Sequence, residues 1–569
     1  MANFTVSPGV SLNEIDQTFL TAEPIQAGAA IIGPTVKGPI ETPIKVTSYT
    51  EYTTMFGGVI ESGSQNYSYL TSIAAYNYFN HGGESLLVTR VASGSVNYTS
   101  ATSSAIPGTV ATNAFTLETI SEGTIMNTGA SGTGGALATG TKDNVRWEIT
   151  TANTSSGTFS LSIRQGNDIT NKKNVLESFN NLSLDPNSPR YISQVIGDQK
   201  LAYDSVNNQI STTGEYLNNS RFVRVKSVNT PTPNYLDPNG TPASAGFKNS
   251  IPVVGNGTFG GATGTPFTST QAKFYQNISA TDSQGLTGTD YTNAIALLSN
   301  TDDYMFNVLF TPGLTDESHA AQITSIITNT QNRGDNLFVY DTVNYGSTVT
   351  QAISKASTRD SSYAATYWPW VRISDPATGK LVFVPASTVI PGVYAFNDRI
   401  AAPWFAPAGI NRGGLNSVLS AEYKLTATNK DNLYEANVNP IATLPREGVV
   451  VFGQKTLQKE SSALDRINVR RLLIALKSFI GQLADQIVFE QNTATTRNAF
   501  LARVTPYLET VQQKQGLYAF QVKMDDSNNG PDVIDRNQLI GQIYIQPTRT
   551  AEFISLDFIL LPTGAEFPS

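Results

Sequence analysis

The chain has 569 residues with a net charge of −8, and 14% of the residues are charged. Ordinary soluble domains carry roughly 25% charged residues, so this surface is unusually poor in charge, which is typical of a subunit that works inside an assembly. The absence of cysteine excludes disulfides, thiolate metal sites and cysteine nucleophiles. Only His81 and His319 are available for imidazole sites, and the acidic balance without a long basic run argues against nucleic acid as the main partner.

The first segment, residues 1–20, has the pattern of an extended arm. Pro8 and Gly9 interrupt any helix early, and the segment is too short to form a core of its own. Its apolar side chains must therefore lie on another surface, and they are Val10, Leu12 and Ile15. Because no basic and apolar leader opens the chain and no apolar run approaches ~18 residues, we expect neither a signal peptide nor a membrane-spanning helix.

Residues 21–95 alternate strand and helix patterns, which predicts the first part of a mixed α/β domain. Small apolar residues predict a strand over Ala27–Gly33, and a second strand is predicted over Leu86–Val91. A helical stretch covers Tyr69–Asn80. The pair Gly82–Gly83 follows this stretch and predicts the end of the helix.

The composition changes over residues 96–290, where Ser, Thr, Asn and Gly dominate and predict one or two inserted β-rich domains. Four strand-like segments stand out: Phe115–Ile120, Val145–Thr150, Thr158–Arg164 and Arg221–Val228. The glycines of Gly255–Gly260 match the dinucleotide-binding pattern G-x-G-x-x-G. That chemistry needs a helix directly after the glycines, and Gly261, Gly264 and Pro266 follow instead, which favours a turn.

The α/β pattern returns over residues 291–430. A strand over Tyr304–Phe310, a helix over Asp316–Arg333 and a strand over Leu337–Asp341 predict a pair of parallel strands. The sequence Trp368-Pro369-Trp370 is flanked by further aromatic and β-branched residues. We therefore expect it to pack in a core rather than to form a ligand platform.

A C-terminal domain is predicted over residues 431–545. Val449–Phe452 is an apolar run beside glycines, which predicts a buried strand. Apolar residues then recur at steps of three and four and line one face of a helix: Leu472, Leu476, Phe479, Ile480, Leu483 and Ile487. Four cations lie on its other faces or at its start: Arg466, Arg470, Arg471 and Lys477. The helix dipole disfavours cations at a helix start, so they either contact an outside partner or form intramolecular salt bridges.

The last segment, residues 546–569, has strong strand character. Residues Glu552–Leu561 alternate and are dense in β-forming side chains. Exposed on a monomer such a strand promotes aggregation, whereas in an assembly it can complete the sheet of a neighbour. The residues expected to do so are Ile554, Leu556, Phe558 and Leu560.

The order of several short motifs resembles the contractile-tail sheath proteins of bacteriophages. The resemblance covers the N-terminal Val6-Ser7-Pro8-Gly9-Val10, about residues 20–95, and about residues 295–569. Phe452 and Phe489 depart from it, because the family often has tryptophan near these places. The motifs that carry it are Gly33-Pro34, Gly38-Pro39, Tyr367-Trp368-Pro369-Trp370, Val384-Pro385-Ala386-Ser387, Gly448–Leu457, Ile467–Leu472, Phe489-Glu490-Gln491-Asn492, Asn528–Asp535 and Ile543–Thr548.

The resemblance implies an α+β fold: a mixed α/β sheath core, an inserted β-rich outer domain, and extended N- and C-terminal arms that join the strands of neighbouring subunits. It implies a structural subunit without enzymatic activity or cofactor, assembled as hexameric rings around a tail tube in the virion and made in the host cytoplasm. The expected partners are the chain itself, the tube protein, and the baseplate and terminator proteins, with no membrane insertion. The four cations would contact the tube.

Three other functions are compatible with parts of the sequence. The same fold serves tailocins and other contractile injection systems, although a large insertion favours a phage sheath. The richness in Thr, Asn and Gly suggests a secreted adhesin or surface-layer protein, against which the missing secretion signal counts. An enzyme would have only the glycines near Gly255 to support it.

Overall fold

The computed structural model describes residues 25–62, 65–94, 97–110, 112–265 and 274–553. The predicted N-terminal arm, with Val10, Leu12 and Ile15, lies outside the described residues, as do Ile554, Leu556, Phe558 and Leu560 of the predicted closing strand.

An eight-stranded sheet, here called the central sheet, organises the middle of the molecule. Six neighbouring strands are parallel, and an antiparallel strand closes each edge. The predicted parallel pair, Val308–Thr315 beside Leu337–Asp341, is confirmed. In spatial order the strands are Gly448–Val451, Asn439–Leu444, Ala364–Trp368, Leu337–Asp341, Val308–Thr315, Ala29–Gly33, Leu86–Arg90 and Ile44–Val46.

Helices and loops cover both faces of the central sheet, because its parallel strands are apolar on both sides. Ile31 packs in the apolar cluster on one face, and its neighbour Ile32 packs in the cluster on the other. Trp368 and Trp370 are both 2% exposed, which confirms their predicted place in the core. The helices are Tyr49–Phe56, Leu70–Asn80, Thr292–Leu297, Ala320–Arg333, Val349–Ala356, Ile390–Ile400, Gly409–Arg412 and Ala427–Glu435.

Smaller sheets extend this middle domain. The predicted single strand over Tyr304–Phe310 is divided, because Tyr304–Phe306 pairs with Ile25–Ala27 and only the following strand enters the central sheet. A three-stranded sheet contains Val371–Ser374, Leu381–Val384 and Val418–Ala421, and a small hairpin contains Ile60–Ser62 and Gln65–Tyr67.

Two domain limits differ from the sequence prediction. Asn439–Leu444 and Gly448–Val451 belong to the central sheet, so this domain extends beyond residue 430. Tyr275 and Leu286 pack in the two cores beside this sheet, so the insertion ends before residue 290. Composition predicts these domain limits poorly, because the apolar sequence of a strand does not show which sheet the strand joins.

The insertion forms one β-rich unit, here called the outer domain, with a single apolar core. Gly255–Gly257 is a strand that pairs with the strand containing Trp147, and Phe259–Gly260 is a strand rather than the start of a helix. The glycine pattern thus lacks the helix that phosphate binding requires. One sheet contains Val175–Ser183, Thr158–Gln165, Val145–Asn153 and Gly255–Gly257. The second sheet contains Val223–Val228, Asn113–Glu122, Ser100–Ser103, Phe259–Gly260 and Ile106–Pro107. A separate hairpin contains Lys200–Asp204 and Gln209–Thr213, and two short helices cover Ile192–Ile196 and Ala245–Ser250.

The outer domain is joined to the middle domain by a narrow neck. The two chain crossings lie side by side, with the Thr99 amide donating to the Thr263 carbonyl over 3.3 Å. Next to the neck, the buried pair Lys37–Asp143 joins the two domains with a nitrogen–oxygen distance of 3.5 Å. Burial lowers the pKa of Lys37, and Asp143 opposes this shift.

The C-terminal domain contains two long helices, Ile467–Asp485 and Ala494–Gln513, and two antiparallel strands, Leu517–Lys523 and Gln542–Pro547. A short helix, Pro531–Asp535, lies between the strands.

Candidate assembly interface

The two long helices and the two strands of the C-terminal domain share one core. The predicted apolar face is confirmed, since Leu472 and Leu476 are buried there and Ile480, Leu483 and Ile487 pack against them. The helices also meet through aromatic side chains, because the Phe479 ring stacks on the Tyr507 ring with centroids 3.8 Å apart. The domain is therefore a rigid base for the surface that its strands present.

The hairpin of Leu517–Lys523 and Gln542–Pro547 has two free edges within the described residues. The two strands pair with each other in a sheet of two strands, and neither has a second strand neighbour in the described ranges. One face packs on the helices, whereas Tyr518 and Tyr544 on the strands are 65% and 54% exposed. Unpaired strand edges offer amide and carbonyl groups to another chain, so this hairpin can accept added strands on either side.

Beyond the hairpin, Glu552 fixes the chain to the subunit. Its carboxylate accepts hydrogen bonds from Arg466 Nε at 2.8 Å, from Gln454 Nε2 at 2.9 Å and from the Tyr434 hydroxyl. Burial alone would raise the pKa of Glu552, but these hydrogen bonds outweigh burial and hold the pKa below its ordinary value. The carboxylate is therefore an anchor at the point from which the C-terminal residues continue.

Arg471, one of the four predicted contact cations, is buried in its own chain. Its guanidinium donates to both oxygens of Asp398, at 2.8 and 2.5 Å, and lies 4.8 Å from the centre of the Tyr394 ring. Burial would lower the pKa of Arg471, but Asp398 outweighs burial and the pKa is raised. The Tyr394 hydroxyl in turn lies 2.6 Å from the Tyr367 hydroxyl. This ion pair ties the helix start to the middle domain.

Arg470 is also buried, at 4% exposure, and has no acidic partner among the described ion pairs. Its guanidinium lies 3.9 Å from the centre of the Tyr363 ring and donates to the Ser362 hydroxyl at 2.5 Å. Burial lowers its pKa. Lys477 reaches the edge of the same site, where its ammonium donates to the Tyr363 hydroxyl at 3.2 Å.

The four cations therefore differ in their partners and in their exposure. Arg470 and Arg471 have intramolecular partners, which is the second of the two interpretations that the sequence left open. Arg466 pairs with Asp465 and Glu552 and keeps a quarter of its side chain exposed. Lys477 is exposed. Contact with a tube is untested for all four, and only Arg466 and Lys477 expose part of their side chains to a partner.

The residues that hold these cations were not found from the sequence. Asp398 and Glu552 lie 73 and 86 positions from the arginines that they pair with. Such distances have no periodic signature. The one available signal was the position of Arg470 and Arg471 at a helix start, which predicted a partner without identifying it.

Within the described ranges, no helix combines the length and the apolar character needed to cross a bilayer. No group of three acidic or histidine side chains in the same ranges is arranged to hold a metal ion.

Residues 284–457 match the profile of the phage tail sheath protein central domain, and residues 459–560 match that of the phage tail sheath C-terminal domain. Both profiles describe domains of phage tail sheath proteins, and they adjoin at residues 457–459, shortly after the last strand of the central sheet ends at Val451. Residues 284–560 therefore match the central and C-terminal domains of the phage tail sheath protein family.

Individual relatives agree with this assignment. The tail sheath proteins of Vibrio phage KVP40 and Enterobacteria phage T4 are each 38% identical over 185 residues, which is 32% of this chain and 28% of theirs. The tail sheath protein of Salmonella phage ViI is 34% identical over 209 residues, which is 37% of this chain and 33% of that protein. The matches thus span less than half of the length of these relatives.

Solved structures support the fold. A sheath tail protein from Listeria innocua aligns over 93% of both chains with a TM-score of 0.54 and 12% identity. A chain from the anti-feeding prophage baseplate in its contracted state aligns over 98% of this chain and 99% of its own, with a TM-score of 0.51 and 14% identity. At these identities the likeness concerns the fold.

Proposed function

We propose that this chain is the structural subunit of a phage contractile tail sheath. The observation that carries the proposal is the C-terminal hairpin, Leu517–Lys523 with Gln542–Pro547, whose edges are unpaired within the described residues. Strands added from neighbouring copies would satisfy these edges through main-chain hydrogen bonds. Residues 1–20 and 554–569, which lie outside the described ranges, are the segments proposed to supply them.

In this proposal the subunits form hexameric rings that stack helically around a tail tube. The extended sheath is a metastable packing, and contraction moves the subunits into a lattice of lower free energy, which drives the tube through the host envelope. The shared strands keep subunits connected while other interfaces slide. The baseplate and terminator proteins would hold the two ends of the sheath, and no catalytic group is required.

We propose that the exposed members of the four cations contact the tube. Arg470 and Arg471 are buried, so they support the helix rather than meet a partner directly. Lys477, and the exposed quarter of Arg466, remain available. We expect Lys477→Glu to weaken co-sedimentation with purified tube at low salt, while Lys459→Glu at another exposed lysine should not. Equal binding by both variants would contradict a contact through Lys477.

The proposed function is tested by electron microscopy of the purified chain, alone and coexpressed with its tube protein. Hollow cylinders of stacked rings, with the tube inside when it is present, are expected. Planar lattices would support a surface-layer protein, and monomers at all concentrations would contradict a sheath subunit. A tailocin or another contractile injection system would form the same cylinders. A genome-filled capsid attached to the isolated particles would identify a phage.

A further inference from the structure

We propose that Phe489 of one copy inserts into a cleft of the next copy, between the helix Gly409–Arg412 and Phe452. The inference rests on the proposed function, because it assigns one contact within the polymer. It differs from strand exchange, because it joins two folded surfaces rather than an arm and a sheet.

The loop after the first long helix presents an aromatic side chain entirely to solvent. Phe489 has a relative exposure of 103%, and the adjacent Val488 is 58% exposed. The backbone of Phe489 has a φ of 71°, which bulky side chains rarely adopt. A strained backbone that displays a fully exposed ring is unfavourable for an isolated subunit, and such outliers cluster at binding sites.

This protrusion, here called the Phe489 knob, stands on a fixed base. The Glu490 amide donates to the Ile487 carbonyl at 3.1 Å. Just after it, the Asn492 side chain donates to the Gln538 carbonyl and accepts from Arg497, each at 2.8 Å. The loop is therefore held against the rest of the C-terminal domain, so little conformational entropy is lost when it binds.

A cleft of about 430 Å³ lies on the middle domain, where residues 550–553 pass over it. Its apolar lining includes Ala406, Ala408, Pro440 and Phe452, and Phe452 is 47% exposed. Mostly apolar clefts with a few polar groups are typical binding sites, and an aromatic ring is a frequent anchor in them.

Acidic side chains flank the knob, and the cleft offers two cations to them beside two acids of its own. Asp485 and Glu490 flank the knob. Arg412 and Lys430 line the cleft, and the Lys430 ammonium lies 5.2 Å from the centre of the Phe452 ring. Two acids also line the cleft, Glu552 and Asp431, of which Glu552 is paired with Arg466.

A single copy cannot make this contact with itself. The cleft adjoins the start of the helix Ile467–Asp485, because Glu552 binds Arg466 there, and the knob follows the end of that helix. The helix has 19 residues, which separates the two surfaces by about 28 Å at 1.5 Å per residue. A contact between unlike surfaces of identical chains is head-to-tail and produces rings or helical polymers, so we assign the cleft to a second copy of this chain.

The test uses the absence of cysteine from the sequence. Two variants are purified separately, mixed, assembled and oxidised: Val488→Cys, which leaves the Phe489 ring in place, and Ala408→Cys. We expect an intermolecular disulfide in the polymer, because such a bond requires Cα atoms within about 7 Å. Val206→Cys mixed with Ala408→Cys is the matched control, since Val206 is 85% exposed but lies in the outer domain. This mixture should not cross-link.

A second measurement is the lowest concentration at which polymers form. Phe489→Ala should raise it at least tenfold while the monomer stays folded, and Phe489→Gly, which relieves the positive φ, should do the same. Val206→Ala should leave it unchanged. Polymers of Phe489→Ala at the normal concentration, without the predicted cross-link in the cysteine mixture, would overturn this contact and leave the proposed function intact.

Two further results would overturn the contact by naming another occupant. Cross-linking of Ala408→Cys to Leu556→Cys would place a C-terminal segment in the cleft, and cross-linking of Val488→Cys to the tube would give the knob a different partner. Failure of the unaltered chain to polymerise at any concentration would overturn the proposed function and this contact together.

Discussion

At the scale of single residues, Arg470 and Arg471 carry charges that the helix dipole does not stabilise. Their compensation comes from Asp398 and from the Tyr363 ring, which belong to the middle domain. The sequence predicted that these charges need a partner, because the helix start was visible from its periodicity. It could not predict which partner, because the pairing depends on how two domains pack.

We expect Arg471→Met to lower the free energy of unfolding of the dilute monomer by about 3 kcal/mol, because it leaves the partly buried Asp398 without its counter-charge. Lys477→Met is the matched control on the same helix, and it should change the free energy by less than about 0.5 kcal/mol. Urea unfolding measures both. Equal values for the two variants would contradict the structural role of the pair.

Glu422 predicts a measurable effect of pH. Burial raises its pKa to about 7, although the Gly346 amide donates to its carboxylate at 2.8 Å. Because the native state holds this proton more tightly than the unfolded chain does, the free energy of unfolding falls as pH rises from about 4.3 to about 7. Below about pH 4.3 the carboxyl is protonated in both the native and the unfolded state, so Glu422 does not lower the free energy of unfolding there.

Glu422→Gln should remove that part of the pH dependence. Relative to the unaltered chain, the free energy of unfolding of the variant should rise by about 1–2 kcal/mol between pH 5 and pH 8. This figure allows for the partial exposure of the carboxyl. Urea unfolding at the two pH values provides the comparison. A constant difference would show that Glu422 titrates normally.

At the scale of elements, local patterns predicted the helices better than the domain limits. The helix Leu70–Asn80 and the strand Leu337–Asp341 were found closely, since their periodicity and their flanking glycines are local signals. The division of Tyr304–Phe310 between two sheets was missed. An apolar run shows that a segment is buried, whereas its pairing depends on distant strands.

Deletion of residues 1–18 tests whether the N-terminal segment serves another subunit. If it adds a strand to a neighbouring hairpin, the truncated monomer should keep its thermal midpoint within about 2 °C, because its own core is unchanged, and should lose the ability to form connected polymers. Thermal unfolding and electron microscopy of the same sample provide the two readouts. Normal cylinders from the truncated chain would contradict the donated arm.

At the scale of the whole molecule, the outer domain has its own core and a neck at which both chain crossings meet. The polar composition of the insertion predicted such a domain. The prediction placed its end too late, because residues after 274 pack in the middle domain. A deletion that removes the outer domain should therefore rejoin the chain at the neck.

We expect a short Gly/Ser linker from Tyr98 to Gly264, replacing residues 99–263, to give a folded and soluble chain that still polymerises. A linker joining residues 95 and 291 should instead lower stability strongly, because it removes Tyr275 and Leu286 from the two cores. Circular dichroism, thermal unfolding and microscopy distinguish the two chains. Equal stability would contradict the limit drawn at the neck.

We propose that neighbouring copies of the chain complete the C-terminal hairpin. A helical reconstruction of the assembled polymer by electron cryomicroscopy tests it most directly. We expect Leu517–Lys523 and Gln542–Pro547 each to gain a hydrogen-bonded strand from another subunit. A polymer in which both edges of this hairpin face solvent would contradict this proposal.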